Sequence, residues 1–381
     1  MRQEKPAQAI RMHGVFDELT PEFLPRLVAS QPPIDGQIID GQIKTVDVIK
    51  ANCRKSLNMM KSGAIENEEI VHETSARISE ILGNELPILN KLVTFVIESG
   101  GKRVRSIIAC YFAEMFSGIS RDAHKISAIV EIIHAASLLH DDVLDDADTR
   151  RGKPSGKNIF GSKEVILGGD YMFATAIRSL NDFENPALMD IFTRVIRDLS
   201  VAELLQLEYE RKPDITMENY LQIIYGKTGS LFQTACEGIA IHMKRSPDEI
   251  TLCAEIGKLL GMLFQMRDDY LDYFNSALLN KPPYQDFENG LFTLPILLVR
   301  DKMGREDRDE LLEYFNLETK ARKDKNTIAR FLGLLEKNQA REICLEKLKH
   351  KEIKLLSLID QLPAHPFKTK IESQIKKLMQ I

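Results

Sequence analysis

Two acidic signatures of one form recur in the chain: Asp141-Asp142-Val143-Leu144-Asp145 and Asp268-Asp269-Tyr270-Leu271-Asp272. Both sit in apolar sequence of helical period. Residues i and i+4 share a helix face, so Asp141 should project with Asp145, and Asp268 with Asp272. Like-charged carboxylates one turn apart repel, and apolar neighbours raise that cost. A cation would relieve it, and hard oxygen donors favour Mg²⁺. Two such faces opposed across a cavity would hold a metal cluster that grips a diphosphate.

A diphosphate also needs fixed cations. Lys102, Arg103 and Arg105 follow Gly100-Gly101, where backbone can approach a ligand and begin a helix. Arg150 and Arg151 follow the first motif, and arginine suits forked phosphate recognition. Lys227-Thr228-Gly229 interrupts a helical pattern and sets an ammonium and a hydroxyl beside a flexible joint. His134 precedes the first motif by one to two turns. Taken singly, each has an ordinary explanation: a solvated acidic face, a helix C-cap, surface charge, a core histidine. Together they converge on one site.

The elements that position them read as helices. Ile78, Ile81, Leu82, Leu86, Leu89, Leu92, Val93 and Val96 recur at three- and four-residue steps. Ile126, Ile129, Val130, Ile133 and Leu138 do so before the first motif, and Leu259, Leu260, Leu263, Phe264 and Leu271 around the second. Breaks at Arg151-Gly152-Lys153-Pro154, Lys212-Pro213, Ser246-Pro247 and Lys281-Pro282-Pro283 divide the pattern. No stretch alternates like a strand hairpin. The expected fold is all-α: a single large helical bundle with its site in the core, over residues 44–381, behind an N-terminal extension of residues 1–43.

Composition limits the function classes. The 381 residues are 44% hydrophobic and 28% charged, as in soluble globular chains, and the net charge of −5 argues against a nucleic-acid binder. Cys53, Cys110, Cys236, Cys253 and Cys344 lack C-x-x-C spacing and read as reduced thiols without zinc. No apolar run approaches the roughly 18 residues of a membrane span.

H-D-D-V-L-D followed by R-R-G-K-P, preceded by G-G-K-R-V-R and followed by K-T-G and F-Q-M-R-D-D-Y-L-D, resembles the trans-prenyl diphosphate synthases. The resemblance covers about residues 66 to 375 and is nearest to the octaprenyl, solanesyl and decaprenyl members of quinone biosynthesis. It implies an all-α bundle of the isoprenoid synthase type around a deep central cavity. It also implies Mg²⁺ as cofactor and head-to-tail condensation of isopentenyl diphosphate onto an allylic diphosphate.

By position, Asp141, Asp145, Asp268 and Asp272 are the implied metal ligands, with Asp142 and Asp269 in support and Lys227 beside them in catalysis. Arg150, Lys227, Thr228, Gln265 and Lys281 would meet the allylic diphosphate. Lys102, Arg105, His134 and Arg151 would hold isopentenyl diphosphate. The chain departs from the pattern at Ser106, where the family often has proline, at Asn280 for a glycine, and at Leu291 for a second lysine. Arg267 stands where an apolar residue is usual, placed to neutralise the carboxylates or to pack against a partner chain.

Ala136 and Ser137 lie about one helical turn before Asp141. In the family, bulky aromatics there resemble a floor that stops chain growth, so these small residues imply a long product; the resemblance alone implies its use in ubiquinone. The alternatives are a shorter C15–C20 product or a non-catalytic subunit of a heteromeric synthase. A terpene cyclase or head-to-head enzyme would not need the second cationic set. The resemblance also implies a homodimer or a heteromer with a related subunit, peripheral membrane contact for product release, and a mitochondrial location. Cytoplasm is the alternative, because Arg2, Lys5 and Arg11 near the start are soon followed by Asp17, Glu18 and Glu22.

Overall fold

The structure is a computed structural model that describes residues 67–381, apart from 84, 85, 100, 151, 280 and 281. The expected boundary at residues 43 and 44, Cys53, Arg151 and Lys281 lie outside the described residues. The described residues form helices joined by turns and loops, with one hairpin of two two-residue strands, so the all-α reading holds.

Two long helices carry the acidic motifs. α4 (Arg121–Leu144) starts where the Ser120 side chain accepts from the Ala123 N–H at 3.1 Å. Ile126, Ile129, Val130, Ile132 and Ile133 are all buried, so the helix is covered nearly all round. α10 (Pro247–Phe274) starts with proline in its first turn and a capping box between Ser246 and Glu249. The preceding helices are α1 (Asn67–Leu82), α2 (Pro87–Glu98) and α3 (Val104–Phe116). Between the motif helices come α5 (Gly156–Phe160), α6 (Ser162–Ser179), α7 (Pro186–Tyr209), α8 (Met217–Ile224) and α9 (Ser230–His242).

α4 packs on α1, α3, α6 and α9, while α10 packs on α9 and on α16 (Ala340–Ile359). α9 therefore touches both motif helices and sets the distance between them. Its approach to α10 is close. A Cβ on Gly257 would stand 2.5 Å from Phe232 O and 2.8 Å from Gln233 Cα, so no larger residue fits.

Beyond α10 the chain turns into α11 (Gln285–Glu288), α12 (Leu294–Arg300), α13 (Arg305–Asn316), α14 (Thr319–Arg322) and α15 (Lys325–Lys337). Phe287 stacks on Phe331 with ring centroids 4.0 Å apart and meets Phe315 edge-on, which anchors the segment after the second motif. α17 (Pro366–Leu378) packs on α3.

The structure sets aside one ordinary alternative and corrects one local expectation. Arg150 is not a C-cap of α4, the everyday explanation of its position. The helix stops at Leu144, and Arg150 stands on β1 (Thr149–Arg150), paired antiparallel with β2 (Lys153–Pro154). Nor is Lys227-Thr228-Gly229 a flexible joint. Residues Tyr225–Gly229 form one π-helical turn between α8 and α9. Gly226 is there for closeness: a Cβ would stand 2.5 Å from Ala202 Cβ and 2.6 Å from Asp198 O.

Candidate functional site

A cavity of about 1020 Å³ opens between α3, α4, α7 and α10. Lys102 and Arg105 reach it from the start of α3, and His134, Ser137 and Asp141 from α4. The π-turn contributes Lys227 and Thr228, and α10 contributes Gln265 and Asp268. Arg150 lines it from the hairpin. Lys102, Arg105, Arg150 and Lys227 therefore share one wall system with Asp141 and Asp142 of the first motif and Asp268 of the second.

The motif carboxylates divide by task. Asp141 and Asp268 line the cavity. Burial, reinforced by the charge of Glu203, pushes the Asp141 carboxyl up to about 7, against the pull of Lys227 and Arg150. Asp142 is buried. It accepts from Arg150 Nε at 2.6 Å and from the Gly156 N–H at 3.4 Å, so it fixes the hairpin arginine to α4.

Asp269 is buried too, accepting from Tyr220 Oη at 2.6 Å and from Gln265 Nε2 at 2.9 Å. Burial and the Asp269 charge push the Tyr220 phenol well up, which keeps it a donor. Gln265 Oε1 in turn accepts from Thr228 Oγ1 at 2.9 Å. The hydroxyl, the amide and the carboxylate form one oriented chain.

Asp145 and Asp272 do not face the cavity with their partners four residues earlier. Asp145 is the exposed C-cap of α4. Asp272 has no exposed surface and accepts from the Asp286 N–H at 3.0 Å, tying α10 to α11. Spacing alone gives a shared helix face. What covers that face is decided by the helix end in one case and by the following segment in the other.

Ala136 and Ser137 also part company, because successive helical residues point about 100° apart. Ser137 lines the cavity, while Ala136 is fully buried where α4 meets α6, its carbonyl 3.3 Å from where a Cβ on Gly169 would stand.

Glu203, Gln206 and Glu131 were not singled out from sequence. Lys227 Nζ pairs with Glu203 at 2.8 Å and donates to Gln206 Oε1 at 3.1 Å, both on α7. Glu131 and Arg103 line the cavity and pair within its wall. Glu131 sits three residues before His134, a spacing that shares a helix face and was a usable signal. Arg267 neutralises Asp268 within this chain, donating from Nη1 to Oδ1 at 3.0 Å.

A divalent cation fits this donor set. Asp141 and Asp268 offer hard oxygens to the cavity. Among the described residues, no group of three or more His, Cys, Asp or Glu side chains forms an ion cage by itself.

The fold and the site together define a helical enzyme built around a paired acidic and cationic cavity. Residues 86–332 match the family model for polyprenyl synthetase. The octaprenyl diphosphate synthase of Escherichia coli is 36% identical over 225 residues, 58% of this chain and 69% of that protein. The structure of a decaprenyl diphosphate synthase from Rhodobacter capsulatus superposes with a TM-score of 0.76 at 27% identity, covering 82% of this chain and 96% of that one. A polyprenyl synthase from Caulobacter crescentus, complexed with calcium and isoprenyl diphosphate, superposes with a TM-score of 0.74 at 28% identity, over 82% of this chain and 94% of that one. The chain belongs to the polyprenyl synthetase family and is a prenyltransferase of the trans-prenyl diphosphate synthase class.

Proposed function

We propose that the chain condenses isopentenyl diphosphate head-to-tail onto an allylic diphosphate, with Mg²⁺, to make a long all-trans polyprenyl diphosphate. The observation that carries this reading is the convergence of Asp141, Asp268, Arg150, Lys227, Lys102 and Arg105 on one cavity. Asp141 and Asp268 would hold the metal. When bound, Mg²⁺ supplies Lewis-acid charge to the departing diphosphate.

The chain's own residues do the rest. Arg150, Lys227, Thr228 and Gln265, with Lys281, hold the allylic diphosphate and stabilise its charge as the C–O bond breaks. Lys102, Arg105, His134 and Arg151 keep isopentenyl diphosphate beside it. The double bond of isopentenyl diphosphate attacks the allylic carbon, a C–C bond forms, and the released diphosphate takes the proton lost from the adjacent carbon. Phe95, Val96, Leu138 and Phe173 give the cavity apolar walls that keep water from the cation.

Ser137 on the wall supports a long product, as do the octaprenyl and decaprenyl names of the relatives. The same reading extends to a ubiquinone side chain, a mitochondrial location and a homodimer or related heteromer. Incubation with farnesyl and isopentenyl diphosphates and Mg²⁺, followed by sizing of the dephosphorylated polyprenols, tests it. Asp141→Ala and Asp268→Ala should abolish most turnover in folded protein. Near-normal transfer by either variant would overturn the assignment.

A further inference from the structure

Arg103 is the cation in the Lys102–Arg105 cluster to which no substrate role has been given, and its setting is unusual. It holds a left-handed backbone, φ 45° and ψ 39°, immediately before α3. Non-glycine residues adopt that conformation only when the surroundings enforce it. Its side chain turns inward and is 7% exposed. Nη1 lies 3.3 Å from Glu131 Oε2, and Glu131 is 4% exposed. The other carboxylate oxygen, Oε1, accepts from Ser106 Oγ at 2.9 Å and from the Ser106 N–H at 3.3 Å. Arg103 Nη2 is buried with no hydrogen-bond partner among the described residues.

A buried ion pair is a poor way to gain stability, and one with an unsatisfied donor is poorer still. Its location suggests another use. Arg103 lies between Lys102 and Arg105, and Glu131 lies one turn before His134 on the same face of α4. The pair thus ties the loop that bears two cations to the turn that bears the third group of the same pocket. Ser106, at the position where the family often carries proline, adds two further bonds to the same carboxylate.

We propose that Arg103 and Glu131 are positioning residues that hold Lys102, Arg105 and His134 in register for the diphosphate of isopentenyl diphosphate. This rests on the assignment of those three groups made above. Lost positioning of this kind costs about 10–100-fold in affinity.

The test uses the double variant Arg103→Met/Glu131→Leu, which replaces the pair by apolar side chains of similar size. A purely structural pair predicts lower stability and equal damage to both substrates. Because Glu131→Leu also strips Ser106 of its acceptor, some loss of thermal stability is expected under either reading. The positioning role predicts a rise of about 10–100-fold in KM for isopentenyl diphosphate and an unmoved KM for the allylic substrate. Calorimetric titration of isopentenyl diphosphate alone, which cannot turn over without an allylic partner, should show the same loss of affinity. Glu131→Gln, which keeps the shape, should show a smaller rise and covers the case in which the double variant does not fold. Unchanged KM for isopentenyl diphosphate, or parallel increases for both substrates, overturns the proposal. Absence of isopentenyl-dependent transfer by the unaltered chain would instead remove the functional reading beneath it.

Discussion

Arg267 holds two distant parts of the chain at once: Nη1 lies 3.0 Å from Asp268 Oδ1, while Nε and Nη2 donate to the Gln380 carbonyl at 2.9 and 2.7 Å. A carboxylate on the cavity wall and the segment after α17 thereby share one guanidinium. Lys377 and Leu378, just before that segment, line the cavity. The departure at position 267 is therefore a brace, not a surface accident.

Arg267→Leu should free this segment. We expect faster amide exchange over residues 375–379, with the centre of α10 unaffected, and a loss of about 1–2 kcal/mol in urea unfolding. Unchanged exchange there would show that packing of α17 on α3 suffices to hold it.

Lys227 should matter to turnover more than to folding. Its ammonium lies between Glu203 and Gln206 at the cavity, on a side chain 26% exposed. Lys227→Met should lower single-turnover rates by about 100-fold while the melting temperature stays within a few degrees, the scale of removing one preorganised charge donor. A rate within threefold of the parent would remove Lys227 from the leaving-diphosphate contacts.

The two small residues before the first motif should respond differently to enlargement. Ser137→Phe intrudes on the cavity and should shorten the main polyprenol product. Ala136→Phe has to be accommodated between α4 and α6, where a Cβ on Gly169 would already collide with the His140 ring. It should destabilise the fold by about 1–3 kcal/mol, the cost of overpacking, with less effect on product length. Product sizing and thermal melts on both variants separate the outcomes, and equal shortening by both would place Ala136 on the channel.

The start of α10 carries a pH-dependent contribution. The Arg245 side chain first, and then the Ser246 N–H, hold the Glu249 carboxyl down at about 2, below its usual 4.5. A depressed carboxyl stabilises the folded chain fully above pH 4.5, and that contribution is lost as pH falls through about 2. Glu249→Gln keeps the capping geometry and deletes the charge. At pH 7 it should cost about 0.5–1 kcal/mol in urea unfolding, and the gap to the parent should narrow steadily between pH 4.5 and 3. A constant gap across that range would mean that the charge is immaterial.

Much of this was legible in sequence, and the reasons are local. The motif helices announce themselves by apolar three- and four-residue spacing, and their pairing with Lys102, Arg105, Arg150 and Lys227 follows from charge. What escaped depends on contacts between distant segments. Asp272 reads like Asp268 until Asp286 is brought against it. The helical spacing of Glu131 and His134 was legible, but the partner of Glu131, Arg103, lies 28 residues away, and no local spacing joins the two. The hairpin that carries Arg150 escaped because two residues per strand are too short to leave a periodic trace.

The π-turn at Tyr225–Gly229 has a consequence for how this site can change over time. A π-turn holds one residue more than the α-turn it replaces, so side-chain substitutions leave the extra residue in place. Only a deletion removes it, and that deletion would swing Lys227 and Thr228 by about 100° relative to the helix that follows. The orientation of both groups is therefore encoded as chain length. It is sheltered from gradual drift and open only to an abrupt, all-or-none loss.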